Sequence, residues 1–353
     1  MKRSLLLPEL LSVVLSLLAL GFGLLMIRAK LQDRPSMKED LVLTVDEQRA
    51  MPADVMPVVL LQRPWNDENS LPFLMLKLVL SRSGEKYVLG YGETVMDTKD
   101  SIQHIAASKG LSSGNPTGLS VGLFGATDAF KPDVLRLHTP VDGGLLGLRF
   151  SCVNVRHRDR FKSVKTVSDL TSYLAVQARG FSDVRVLVGS GLPTHETAGR
   201  SYLNLLDQAR VDYLPRGLVN LEEECEPRAA QLGYGNIAVD RHLLIAYPNA
   251  FVFVINPKNQ RLKLALQRGL ARAMADGSQR RLLQQRFFTP WLKQTLRLRD
   301  RRLLVLSTPE TEALIRETPP SSWLVPWNRL PRSTDPPVSA AILCQEPFFA
   351  PLC

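Results

Sequence analysis

The sequence predicts an α/β protein of two lobes with a cleft between them, and three observations support this fold class. The chain has 353 residues, 45% of them apolar, which is enough for two packed domains. Segments of strand character alternate with segments of helical spacing, as is typical of α/β domains. A glycine-rich break at Gly143–Phe150 and two later strands, His242–Ala246 and Phe251–Ile255, mark the places where the chain would cross between lobes.

The first lobe is predicted to open with three strands separated by two helices. The strands are expected at Val58–Leu61, Tyr87–Tyr91 and Leu119–Phe124, where short apolar runs are bounded by turn residues. Ser70 is a suitable N-cap for a helix that ends at Gly84, and a second helix is expected over Asp97–Ser108. This order is half of a doubly wound domain.

The two crossings divide the chain into segments. We expect a signal peptide or membrane anchor at 1–31, the first part of lobe 1 at 41–148, an inserted lobe 2 at 149–247, the second part of lobe 1 at 248–305, and a proline-rich C-terminal extension at 306–353. Amphipathic helices are predicted at Asn259–Ala275 and Ser278–Phe288.

The stretch Val211–Asn220 is predicted to hold part of a binding site. An apolar strand would end at Asp212, and Pro215-Arg216-Gly217 would begin a helix. In open α/β sheets ligands gather beyond the carboxyl ends of strands, where helix N-termini offer unpaired N–H groups. Asp212 and Arg216 would then both face the cleft; the alternative is a surface ion pair beside a loop.

Several segments together resemble one family of proteins. They are Val211–Asn220, the helix-like run Tyr202–Arg210, and the later segments HLLIAYPNAFVFVINPKN and RGLARAMADGS. This combination resembles the type 2 periplasmic solute-binding proteins, and within them the family 3, amino-acid-type receptors of ABC importers. The resemblance covers roughly Asp54–Val305. It implies a two-lobed periplasmic-binding-protein type 2 fold that holds a small polar solute in the interlobe cleft, without a cofactor.

The resemblance implies cleft residues in the first lobe. The loop after the first strand would contribute Trp65, although this side chain could equally pack on its own loop. The family has a Thr followed four residues later by an Arg that clamps a ligand carboxylate, and here Thr127 is followed by Lys131. Lysine is a point charge, whereas arginine presents a planar fork that binds a carboxylate through two hydrogen bonds. This departure weakens the expectation of an α-amino-acid ligand.

The second lobe would contribute the start of a helix. In the family a glycine and a small polar residue precede a helix whose free N–H groups receive the ligand, and Gly180, Ser182 and Asp183 match this pattern. Ser182 is also an ordinary N-cap residue, so capping alone is the alternative. The acidic run Glu222–Glu226 is interpreted as a solvated helix face.

The chain carries 44 Lys and Arg against 34 Asp and Glu, a net charge of +10. Much of the excess lies between Lys258 and Arg302, interleaved with Leu and Ala at helical spacing. This pattern predicts the solvated faces of amphipathic helices and argues against a nucleic-acid partner. A docking surface for another protein is the second interpretation.

The N-terminus has the pattern of an export signal or a single membrane anchor. Lys2 and Arg3 precede an uncharged apolar run, Leu10–Ile27, which Arg28 follows directly. The run is just long enough to span a bilayer, and no A-x-A cleavage pattern follows it. We therefore expect a protein of the Gram-negative periplasm, either soluble after cleavage or anchored to the inner membrane.

The four cysteines allow disulfides in an exported protein, with three possible connectivities. Cys344 and Cys353 are close enough in sequence to close a small loop. Cys152 and Cys225 would then pair within the middle segment.

No catalytic or metal-binding motif is present in the sequence. The five histidines lack metal-ligand spacing, and no nucleophile with a base or phosphate loop occurs. We therefore predict a non-enzyme that binds a small polar solute for ABC import or sensing, with an ABC permease or another envelope protein as partner. The alternative is a non-transport envelope protein that keeps the fold but docks a protein. A cell-wall glycosidase would need a catalytic Glu in the first lobe, where Glu85 and Glu93 have no identified partner.

Overall fold

The structure, a computed structural model, describes residues 41–63, 66–96, 98–109, 117–127, 132–198, 201–226, 228–331 and 338–353. Two β-sheets with surrounding helices make up this part of the chain, which confirms the predicted fold class. The predicted signal or anchor at 1–31 lies outside the described residues. Among the described residues, no helix has the length and apolar character needed to cross a membrane.

The first sheet has the order β2-β1-β3-β11-β4. Its strands are β1 (Val55–Gln62), β2 (Lys86–Val95), β3 (Val121–Gly125), β4 (Leu135–Arg136) and β11 (Phe251–Ile255). Strand β1 runs parallel to β2 and β3, whereas β11 runs antiparallel to β3 and β4. Because β11 comes from a much later part of the chain, the chain must leave this sheet and return to it.

The second sheet has the order β13-β12-β10-β5-β8-β6-β7, with β9 also paired to β5. Its strands are β5 (Leu148–Asn154), β6 (Ala175–Ala178), β7 (Thr194–Thr197), β8 (Tyr213–Gly217), β9 (Ile237–Val239), β10 (Leu243–Ala246), β12 (Arg302–Val305) and β13 (Val338–Ser339). All seven residues of β5 are buried, as expected for the central strand of a covered sheet.

The helices cover the faces of these sheets. They are α1 (Val45–Ala50), α2 (Leu71–Ser81), α3 (Thr98–Ala106), α4 (Ser182–Gly189), α5 (Ser201–Asp207), α6 (Leu221–Glu224), α7 (Arg228–Gln231), α8 (Gln260–Ala275), α9 (Ser278–Phe287), α10 (Pro290–Leu296) and α11 (Pro309–Glu317). Asn259 caps α8 by accepting a hydrogen bond from the Leu262 amide. Helix α8 packs closely on α2, since a Cβ at Gly269 would clash with the Val79 carbonyl oxygen.

Three segments connect the sheets: the first crossing (137–147) leads from β4 to β5, the second crossing (247–250) leads from β10 to β11, and a long helical segment (256–301) leads from β11 to β12. The buried carboxylate of Asp142 ties the first two crossings together. It accepts hydrogen bonds from the amides of Gly144 and Leu146 in the first crossing, at 3.2 and 2.7 Å, and from the Phe251 amide at 3.0 Å. Burial raises the pKa of Asp142 to about 6, although these three hydrogen bonds favour the charged form.

The C-terminal extension (306–353) packs against the crossings. The Leu324 amide donates to the Gly143 carbonyl at 2.8 Å. A Cβ at Gly147 would clash with the Tyr247 carbonyl oxygen and with the Trp327 indole, so only glycine fits this position. The extension also reaches the second sheet through β13, which pairs with β12.

Both disulfides expected from the sequence are present: Cys152 bonds to Cys225, and Cys344 bonds to Cys353. The first joins the centre of β5 to the residue that follows α6. The second closes the end of the extension into a small loop.

Two boundary predictions were wrong. The strand expected to end at Asp212 begins at Tyr213 and runs to Gly217, so Pro215 and Arg216 lie within β8 and do not start a helix. Strand β12, placed by the sequence in the second part of lobe 1 (248–305), pairs in parallel with β10 of the second sheet. This pairing joins residues far apart in the chain, and local patterns carry no trace of it. The remaining lobe boundaries stay a prediction.

Candidate functional site

A cavity of about 200 Å³ lies between the two sheets, and both sheets contribute to its walls. The lining residues of the first lobe are Leu60, Leu61, Arg63, Asn66, Ser70, Leu71, Pro72, Leu123, Phe124, Gly125 and Phe251, and those of the first crossing and second lobe are Leu146, Arg149, Gly180, Phe181, Ser182, Asp183, Arg216, Val219, Asn220, Glu223 and Glu224. The lining includes the carboxyl ends of β1, β3 and β8, the sheet edge at which α/β proteins bind ligands. We call this space the interlobe cavity.

Arg216 lies at the carboxyl end of β8 and is 3% exposed. Its Nε donates to Oε2 of Glu224 at 2.5 Å, and its Nη2 donates to the same oxygen. Its Nη1 donates to Oε1 of Gln177 at 3.2 Å, and the Tyr202 ring lies 4.9 Å from the guanidinium carbon. Burial lowers the pKa of Arg216, but the Glu224 carboxylate more than offsets this effect, so the pKa lies above its ordinary value.

Glu224 is held in place by its neighbours in space and in sequence. It is the last residue of α6, and the next residue, Cys225, is bonded to Cys152 of β5. The Tyr202 hydroxyl donates to Glu224 Oε2 at 3.1 Å. The position of the carboxylate is thus fixed by Arg216, by Tyr202 and by a covalent link one residue away.

A second buried ion pair lies near the first crossing. Nη2 of Arg149 is 2.6 Å from Oδ1 of Asp183, and both side chains are almost fully buried. The Tyr247 hydroxyl donates to the same oxygen, and the Tyr247 ring lies 5.2 Å from the Arg149 guanidinium carbon. Burial raises the pKa of Tyr247 well above its ordinary value, so its hydroxyl keeps its proton as a donor. Within the described part of the chain, Arg149 Nε has no hydrogen-bond partner.

Helix α4 directs its first turn at the cavity. Its N-cap, Phe181, has no side chain able to accept from the first amides. The Ser182 hydroxyl accepts from Asn249 Nδ2 of the second crossing at 3.3 Å, and Asp183 places its carboxylate in the first turn. Gly180 adopts a left-handed conformation, with φ of 80°, and a Cβ there would meet no atom within 4 Å.

The charges of the cavity wall balance each other. The charged lining residues are Arg63, Arg149 and Arg216, and Asp183, Glu223 and Glu224. Burial raises the pKa of Glu223, whereas Arg286, which donates to it at 2.7 Å, acts in the opposite direction. Much of the remaining wall is apolar, including Phe124, Phe181 and Phe251. The site therefore offers paired charges on an apolar wall and no excess of either sign.

The structure brings together four of the residues predicted to bind a ligand: Gly180, Ser182, Asp183 and Arg216 all line the interlobe cavity. Asp212 does not, because it precedes β8 at the end away from Arg216. Its carboxylate binds Arg160 and accepts from the Leu174 amide at 2.7 Å. The expectation that Asp212 and Arg216 face the same cleft was therefore wrong.

Thr127 is buried outside the lining, with its carbonyl accepting from Arg185 and its Oγ1 without a hydrogen-bond partner among the described residues. Trp65 and Lys131 lie outside the described residues. Ligand binding by any of the predicted residues stays a prediction.

Sequence reasoning missed Arg149, Tyr247 and Glu224. Arg149 lies within the glycine-rich break at Gly143–Phe150, and this position near a crossing was the available signal for it. Glu224 was interpreted as part of a solvated acidic run. Among the described residues, no group of three or more His, Cys, Asp or Glu is arranged to hold a metal ion.

Neither a protein-family model nor a curated protein matches the sequence of the chain. Solved structures do match its fold. An ancestral arginine-binding protein bound to arginine is 15% identical over 67% of this chain and 99% of its own, with a TM-score of 0.44. An arginine transport system periplasmic binding protein from Legionella pneumophila is 12% identical over 66% of this chain and 99% of its own, with a TM-score of 0.45.

Proposed function

We propose that the protein is a periplasmic solute-binding protein that captures a small solute between its lobes, for ABC import or sensing. The observation that supports this proposal is the interlobe cavity itself, whose walls combine residues of both sheets with two buried ion pairs. Buried ion pairs are expensive to desolvate, and apolar residues would stabilise an interior at least as well. Charged groups kept beside an open cavity are more useful for recognition than for stability.

The composition of the wall indicates a solute without net charge. Each guanidinium of the two buried pairs already has a carboxylate partner, so neither presents an uncompensated charge to the cavity. The aromatic and aliphatic wall favours a solute with an apolar part. Hydrogen-bonding capacity remains at the start of α4, whose N-cap side chain accepts from none of the first amides. We therefore propose a small polar solute with an apolar portion, held by hydrogen bonds and apolar contacts without catalysis.

A solute in this position would contact both lobes. If the lobes move, contacts made only in the closed arrangement would shift an open–closed equilibrium toward it. An ABC permease or a signalling partner would then recognise the closed form. The movement would take place at the crossings.

A thermal-shift screen of the full chain in detergent micelles tests the proposal. The panel contains neutral amino acids, small peptides, organic acids and polyamines. A ligand specific to the native state stabilises it by about 2.7 kcal/mol at a hundred times its Kd, which raises Tm. We expect a hit among the uncharged compounds with an apolar part. A well-folded protein whose Tm no panel compound raises would contradict solute binding.

One observation favours a second function, docking of a protein partner in the envelope without solute transport. The C-terminal extension packs on the first crossing through Leu324 and Trp327, which restrains the movement that a transport receptor uses. The stretch from Lys258 to Arg302 carries much of the excess positive charge and supplies a surface for an acidic partner. A screen in which no solute raises the Tm of the folded protein would favour this function.

A further inference from the structure

We infer that the Glu224 carboxylate permanently occupies the carboxylate-binding edge of Arg216 in the interlobe cavity, where the Cys152–Cys225 disulfide holds it. In this position Glu224 prevents solutes with a free carboxylate from binding to Arg216. The inference rests on the proposed solute site and names a residue that determines its specificity.

The first step is the geometry at Arg216. An arginine binds a carboxylate best along the edge formed by Nε and one terminal nitrogen, through two parallel hydrogen bonds. At Arg216 this edge is taken, because Nε and Nη2 both donate to Glu224 Oε2. Nη1 donates to Gln177, and the Tyr202 and Phe181 rings lie 4.9 and 5.5 Å from the guanidinium carbon. A ligand carboxylate can reach this edge only by displacing Glu224.

The second step is the tether, which makes displacement unfavourable. Cys225, one residue after Glu224, is bonded to Cys152 on the buried central strand β5. The Tyr202 hydroxyl donates to the carboxylate from another side. A carboxylate fixed in this way competes with a free solute as an intramolecular ligand at high effective concentration. A solute that displaced it would also leave Glu224 as a buried charge without its partner.

The third step is the contrast with Glu223, which lines the same cavity. Its carboxylate accepts from Arg286 of α9, which lies outside the lining. The adjacent acidic residue therefore has the same charge and lies on the same wall, but it is directed to a different arginine.

The test measures acetate binding to the full chain in micelles, with chloride at equal ionic strength as the reference. In Glu224→Gln the isosteric amide leaves the Arg216 guanidinium without its counter-charge. We expect this variant to bind acetate at least about tenfold more tightly than wild type, about 1.4 kcal/mol. Glu222→Gln is the control, because Glu222 lies on the same helix outside the cavity lining and accepts from the neutral Thr289 hydroxyl; it should bind acetate as weakly as wild type.

The double variant Glu224→Gln/Arg216→Met assigns any gain to Arg216, because acetate binding should return to the wild-type level. Should Glu224→Gln fail to fold, Glu224→Asp keeps the charge on a shorter side chain and should show a smaller gain. Acetate binding to wild type as tight as to the folded variant would overturn the inference, and so would a folded variant without any gain. A failure of the proposed solute binding would be seen separately. In that case no compound of the panel would raise the Tm of the wild-type protein, whatever the acetate affinity of Glu224→Gln.

Discussion

Two of the regions where the lobes meet, the crossings and the interlobe cavity, are filled in opposite ways. At the crossings the backbone is enclosed: a Cβ at Gly143 would clash with Leu324, and one at Gly147 would clash with Tyr247 and Trp327. In the interlobe cavity, by contrast, the walls leave a space of about 200 Å³. One contact between the lobes is packed like a protein core, whereas the other leaves space for a small molecule.

This difference assigns stability mainly to the crossings and solute recognition to the cavity. Substitutions at the crossings should lower the free energy of unfolding, and a second substitution should rarely restore it. Changes at the two buried ion pairs of the cavity should be compensable, because Arg149 is paired with Asp183 and Arg216 with Glu224 within the cavity wall. Three variants test this difference through the free energy of unfolding, and a fourth measurement tests solute binding in the cavity.

The largest effect is expected for Trp327→Ala. This indole is 7% exposed and encloses Gly147, so its removal leaves a cavity between the extension and the first crossing. Truncation of a buried Trp costs about 3–5 kcal/mol. Denaturant unfolding should show this loss in the free energy of unfolding, whereas Trp291→Ala, at a half-buried position on α10, should lose clearly less. Equal losses in the two variants would mean that the extension does not hold the crossing.

Arg216→Met should be nearly as severe, for a different reason. It leaves the Glu224 carboxylate buried without its partner, which costs about 3–5 kcal/mol. The double variant Arg216→Met/Glu224→Leu should recover most of that loss, because an apolar pair can replace a buried ion pair at little cost. Thermal or denaturant unfolding of all three proteins measures the recovery. A double variant no more stable than the single one would contradict the view that the Arg216–Glu224 pair can be compensated within the cavity wall.

The sequence predicted most elements of the fold because their signals are local. The bounds of β11 and α8 follow from an apolar run and from the Asn259 cap. Strand β8 was misplaced because Pro215 and Gly217 normally interrupt strands. Strand β6 pairs with β8 only at Tyr213, so the proline falls where no ladder bond to β6 is needed, and Gln177 donates to its carbonyl instead.

The site was less predictable than the fold. Arg216 was identified from its position near a strand end, but its partner was not. Glu224 comes into contact with it only because α6 turns back over β8, fastened by the disulfide of Cys225. Nothing in the acidic run distinguishes Glu224 from Glu223, since both are carboxylates on one short helix. Partner choice here is a property of tertiary structure.

The smallest effect concerns pH and the crossings. Burial raises the pKa of Asp142 from 3.8 to about 6 in the folded state, so its contribution to stability is fully present below about pH 3.8 and is lost as pH rises through about 6. In Asp142→Asn the free energy of unfolding should lack this fall, which amounts to at most about 1.4 kcal/mol per pH unit. Unfolding curves of both proteins from pH 4 to 7 give the difference. Parallel pH profiles would contradict the raised pKa.

The most direct test of the central claim, solute binding in the interlobe cavity, compares two Val→Trp variants at a saturating concentration of the best solute from the screen. Val219 lines the cavity and is 4% exposed, whereas Val188 on α4 is 56% exposed and outside the lining. The indole at position 219 would occupy the space of the solute. Isothermal titration should show binding lost in folded Val219→Trp and unchanged in Val188→Trp. Unchanged solute affinity in folded Val219→Trp would contradict the claim.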